Sequence, residues 1–134
     1  MNLSSFDELL QAARAQPQPQ RLLFVFAGVE LPDDSTHEQG VRFAAGQGGA
    51  LVPLMVVDKD AGALQDFEAL ARESEHLAQD WQMVFAAALS GRHGRAPSSA
   101  DCERPLQRMV QAIREGSHGS YMPFDRQGQP LLFE

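Results

Sequence analysis

The sequence predicts an α/β fold: one domain over residues 1–134, with a mixed, mostly parallel sheet of about five strands, helices packed on it and a C-terminal β-hairpin. Three observations lead there. Short apolar runs at 21–27, 50–57 and 81–89 suit strands covered on both faces, because a strand open to water on one side alternates polar and apolar residues. Segments of helical periodicity alternate with those runs, the pattern of layered α/β folds. The last fifteen residues read as two short extended arms around a glycine-containing turn.

Taken in order, Ser4 or Ser5 caps a first helix, with Glu8 in capping-box register and Phe6, Leu9, Leu10 and Ala13 on one face. That helix ends near Ala15, where Gln16-Pro17-Gln18-Pro19-Gln20 imposes an extended connector. Arg21 to Ala27, RLLFVFA, is the first strand, closed by Gly28 to Pro32. A short helix from Ser35, carrying Val41, Phe43 and Ala44, is expected before Gly46, Gly48 and Gly49. Ala50 to Val57 is the second strand, and Pro53, which has no amide to donate, marks it as an edge, an irregular strand or a late start.

From Ala61 to Ala78, the apolar residues Leu64, Phe67, Leu70, Ala71 and Leu77 recur at helical spacing, with Asp58 or Asp60 as the expected N-cap. Trp81 to Leu89 is a third, interior strand, and the intervening helix makes a right-handed crossover joining parallel strands. A loop over 90–100 leads to a helix starting near Asp101, with Pro105 expected in its first turn, a stripe of Leu106, Met109, Val110 and Ile113, and Gly116 as C-cap. Residues 120–124 and 130–133 form the terminal hairpin.

Composition limits the function. The 18 acidic residues outnumber 11 basic ones for a net charge of −7, which opposes nucleic-acid phosphates and anionic membrane surfaces alike. No apolar stretch approaches the length of a membrane span, and the first residues lack the pattern of an export signal. Cys102 is the only cysteine, so there is no internal disulfide, and a reducing, cytoplasmic location is expected.

Together, SSFDELLQAARAQPQPQRLLFVFAGVELPDD, GALVPLMVVDK, FAAALSGRHGRAPSS and MPFDRQGQPL resemble a family of small proteobacterial proteins often labelled "ribonucleotide reductase subunit alpha". The resemblance spans nearly the whole chain and implies a bacterial source, but the family carries no assigned catalytic residues to transfer. Its label does not fit the chemistry. Such catalytic subunits need a radical-forming cysteine and a reducing cysteine pair, and this chain has one cysteine, so it is not a ribonucleotide reductase.

The loop after the third strand holds the strongest candidate site, because ligands of α/β folds bind beyond the carboxyl ends of strands. There Arg92, His93, Arg95, Ser98 and Ser99, with Asp58 from the second strand on the same edge, form a candidate anion site. Guanidinium groups and helix-start amides would hold a phosphate or carboxylate, Gly91 and Gly94 would let the backbone approach it, and Asp58 or His93 would be the acid–base group. The same residues also suit a solvated loop, since no Walker A or dinucleotide-binding pattern is present.

Glu30, Asp33, Asp34, His37 and Glu38 are ligand types for a hard cation, but they match no metal-binding spacing and read as helix caps, so no metal and no cofactor is expected. Cys102 is flanked by Asp101 and Glu103, whose charges oppose a thiolate, and His76 and His118 read as solvated. No serine lies in a GxSxG elbow. Two functions follow: a non-catalytic accessory or protein-interaction domain, or a small enzyme or binding protein for an anionic metabolite using the 90–99 loop. The expected partner is another protein or a second copy, with Leu131, Leu132 and Phe133 of the hairpin as the self-association edge.

Overall fold

A computed structural model of the chain describes residues 5–30, 50–76, 80–117, 119 and 121–131. Among these, three helices, α1 (Phe6–Arg14), α2 (Phe67–Glu75) and α3 (Ser99–Glu115), accompany four strands, β1 (Gln20–Glu30), β2 (Ala50–Asp60), β3 (Met83–Ser90) and β4 (Met122–Phe124). The short helix expected from Ser35 falls outside the described residues.

The sheet runs in the order β2-β1-β3-β4, and every neighbouring pair is antiparallel. This corrects the expected mostly parallel sheet of about five strands. The difference has a physical cause. Helices cover both faces of this sheet, so its central strand is as continuously apolar as a strand of a parallel sheet. Leu22, Phe24 and Phe26 of β1 face α1 and α2, whereas Leu23, Val25 and Ala27 face α3, and all six are buried.

β2 and β3 do run in the same direction, since each is antiparallel to β1, but β1 lies between them. β3 is interior, as its sequence implied. The hairpin turn forms as expected: Asp125 N donates to Gln129 O at 2.9 Å and Leu131 N to Pro123 O at 3.0 Å, and among the described residues the returning arm pairs through a bridge at Pro130, while Leu132 and Phe133 lie outside them.

Local chemistry explains most element ends. Ser5 Oγ accepts from Glu8 N at 3.3 Å to cap α1. Asp66, rather than Asp58 or Asp60, caps α2, its Oδ1 accepting from Ala69 N at 2.8 Å. Asp60 instead accepts from Gly62 N at 2.9 Å in a turn that follows β2, which shortens the helix expected from Ala61. Pro53 sits on an edge strand beside a register irregularity opposite Phe26 and Ala27, where a missing amide is tolerated.

Pro105 departs from expectation. It lies in the second turn of α3, inside the helix, where it removes one backbone hydrogen bond. The helix holds because Cys102, Leu106, Met109 and Ile113 are buried on β1 and β3, and each large apolar side chain contributes about 1.5–3 kcal/mol. Gly116, at φ 76°, supplies the left-handed cap that ends it.

Candidate functional site

Because β2 and β3 point the same way, the end of β2, the loop after β3 and the start of α3 meet at one edge of the sheet. Asp58 leaves β2 on the α3 face. Its Oδ2 accepts from Arg21 Nε at 2.6 Å and lies 2.5 Å from Arg21 Nη2. Ser99, the first residue of α3, donates its hydroxyl to the same Oδ2 at 2.8 Å and accepts from Arg21 Nη2 at 3.0 Å.

The structure thus joins Asp58 and Ser99, two of the residues singled out in the sequence, and adds Arg21. The Arg21 and Asp58 side chains are only 20% and 21% exposed. Burial alone would raise the Asp58 pKa, but the hydrogen bonds from Ser99 and Arg21 and the adjacent Arg21 charge outweigh it and hold the carboxyl below its ordinary value. A carboxylate stabilised in this way is a weak base. The arrangement ties β1, β2 and α3 together through one oxygen.

Arg21 was not legible as part of a site, since its role depends on the register that sets β1 against β2. The one available signal is its alternation with Leu23 and Val25, which puts it on the α3 face.

The loop folds on itself. Arg92 N donates to Arg95 O at 3.0 Å and Arg95 N to Arg92 O at 2.9 Å, closing a two-residue turn in which His93 (φ 53°) and Gly94 (φ 76°) are both left-handed, as a type I′ turn requires. Gln18 Oε1 accepts from Gly94 N at 2.9 Å, so the Gln-Pro connector anchors the turn. A Cβ on Gly91 would lie 2.0 Å from Arg95 O and 2.9 Å from Pro19 O. Both glycines are therefore explained by the loop's own path.

Ser98 caps α3 in a reciprocal box: its Oγ accepts from Asp101 N at 3.2 Å, and Asp101 Oδ2 accepts from Ser98 N at 2.9 Å. The Ser98 backbone and side-chain hydrogen bonds, with the Arg92 charge, hold the Asp101 carboxyl below its ordinary value. A negative charge already occupies the helix start. A cavity of about 530 Å³ lies beside it, lined by Arg92, Arg95, Ala96, Pro97 and Asp101 among others. Among the described residues neither Arg92 nor Arg95 forms an ion pair with a carboxylate. His93 stands exposed at the turn tip, with no hydrogen bond to Asp58.

Cys102 is fully buried, and its Sγ lies 3.3 Å from Ser98 O. Burial, then the Asp58 and Asp101 charges, push its thiol up, which suppresses the thiolate. His76 is the exposed C-cap of α2. Asp33, Asp34, His37, Glu38 and His118 lie outside the described residues, as does the side chain of Glu30.

A second concavity, of about 570 Å³, opens between the β2 edge and α3. Val56, Leu106 and Val110 give it an apolar floor, with Glu103 near one end and Arg114 at the other. Leu54 and Val56, 40% and 46% exposed, are the large hydrophobic residues left open to solvent among the described residues. No protein-family profile, curated protein or solved structure matches the chain.

Proposed function

We propose that the chain is a non-catalytic protein-interaction domain that docks through the outer edge of β2 and the groove beneath α3. The observation that carries this reading is the exposure of two large apolar residues on an eleven-residue edge strand: Val56 lines the apolar-floored groove beside α3, and Leu54 stands on the other face of the strand beside Gly28. Such an edge offers unpaired backbone groups and alternating side chains to an added strand or helix. The tie of Asp58 to Arg21 and Ser99, and the protonated state of Cys102, support the same reading, because these reactive groups already serve the fold. An acidic chain with one buried cysteine suits a partner other than nucleic acid in a reducing cytoplasm.

The test is photo-crosslinking in cells, with a photoreactive phenylalanine analogue at position 54 and, as control, at the exposed Glu68 of α2. A discrete adduct from position 54 and none from position 68 is expected. Equal or absent crosslinking at both positions would sink the reading.

The anion-binding alternative keeps one supporting observation: the guanidinium groups of Arg92 and Arg95 border a cavity and lack carboxylate partners among the described residues. Asp101 opposes it. Amide shifts during phosphate titration, compared between wild type and Arg92→Ala/Arg95→Ala, separate the two readings, and loss of the response in the double variant would favour the anion site.

A further inference from the structure

Resting on the interaction reading above, we infer that the occupant of the β2 edge and the α3 groove is a second copy of this chain, related by a two-fold axis perpendicular to the sheet. The side of α3 that borders the groove runs from Glu103 through Leu106, Gln107, Val110 and Gln111 to Arg114. It is acidic at one end, basic at the other and mostly apolar or amide between. Glu103 and Arg114 are exposed and have no ion-pair partner among the described residues. Eleven residues apart on one helix, they stand roughly 16 Å from each other and cannot neutralise each other.

A two-fold axis reverses the second helix. Glu103 of one copy then meets Arg114 of the other, twice, and the apolar middles face each other. A single surface is thereby its own complement, as a closed two-fold interface requires.

The spacing agrees. The backbone of α3 comes nearest to β2 and β1, while its buried side chains reach across β1 to β3. Adjacent strands are about 4.8 Å apart, so abutting two β2 edges sets the two α3 axes roughly 10 to 14 Å apart, within reach of long side chains such as Glu103 and Arg114 from both helices. Antiparallel β2 edges would meet under them, and Val56, exposed in one copy, would be covered by the other.

Charge reversal tests this by sedimentation velocity from low to high micromolar protein. Wild type should dimerise, and more weakly as salt rises. Glu103→Arg and Arg114→Glu should each turn two attractive pairs repulsive and weaken the dimer by about tenfold or more. The double variant E103R/R114E should regain it, and an equimolar mixture of the two single variants should form a heterodimer. A wild type that stays monomeric at high micromolar concentration, or single variants that dimerise like wild type, would overturn the inference. The crosslinking test tells that failure from failure of the interaction reading: a monomeric protein whose position 54 still gives one discrete adduct with a different protein loses the second-copy inference alone, whereas a monomer with no adduct loses both.

Discussion

The two faces of the sheet are built from different materials. On the α1/α2 face, Phe6 sits at the centre of an aromatic cluster, its ring centroid 5.6 Å from Phe24, 4.9 Å from Phe67 and 5.4 Å from Phe124, while Trp81 meets Phe26 at 5.0 Å. The turn of the terminal hairpin closes over it, Phe6 N donating to Gly128 O at 2.9 Å. On the α3 face the core is aliphatic and sulfur-containing, with Phe85 its one aromatic ring among the buried residues, and among the described residues a single helix covers it. One helix cannot cover four strands. The aromatic face is sealed by two helices and a turn, and the aliphatic face ends in an open groove at β2. The aromatic packing is concentrated on the first face and the exposed groove on the second.

Substitutions that break this contrast can be ranked. Phe24→Ala, which removes a ring from the sealed cluster, should cost about 3–5 kcal/mol in chemical denaturation, and Ile113→Ala on the α3 face about 2–4 kcal/mol. The reverse order would show that α3 carries the main core. Gly91→Ala should cost about 1–3 kcal/mol, because its Cβ would collide with the Arg95 and Pro19 carbonyls, whereas an unchanged melting temperature would mean that the loop path adjusts freely.

Asp58→Asn probes the tie between the two regions and should cost about 1 kcal/mol near neutral pH, since the pair is partly exposed and screened. The sign of its pH dependence follows from the depressed pKa. The folded carboxyl titrates below its ordinary value of 3.8, so its contribution is present above that pH and is lost as pH falls through the lower folded value. Wild type and Asp58→Asn should therefore converge in stability in acid, and parallel curves down to that range would remove Asp58 from the account.

The sequence was most informative where one residue type admits one backbone solution. Gly116 as a C-cap, Ser4 or Ser5 as a helix start and Pro53 as the mark of an edge, an irregularity or a late start were legible because each follows from local sterics or one hydrogen bond. Strand direction was not legible. RLLFVFA is apolar throughout because helices cover both faces, and that burial is the same whether its neighbours run with it or against it. The juxtaposition of Asp58 with the start of α3 was expected from parallel strands joined by a crossover; it holds for a different reason, because β2 and β3 share a direction with β1 between them. Arg21 escaped notice because its partner is set by cross-strand register rather than by anything within a few residues of it.

Pro53 has a further consequence for the behaviour of the chain at high concentration. Leu51 to Val57 is otherwise an uncharged, branched-residue segment of the kind that stacks into fibrils, and among the described residues it lies at the sheet's edge. A proline in its midst, next to a bulge, breaks the regular spacing of donors that indefinite stacking requires while leaving the flanking residues able to pair. Such a proline discourages endless stacking along the edge without closing the flanking residues to a single finite pairing.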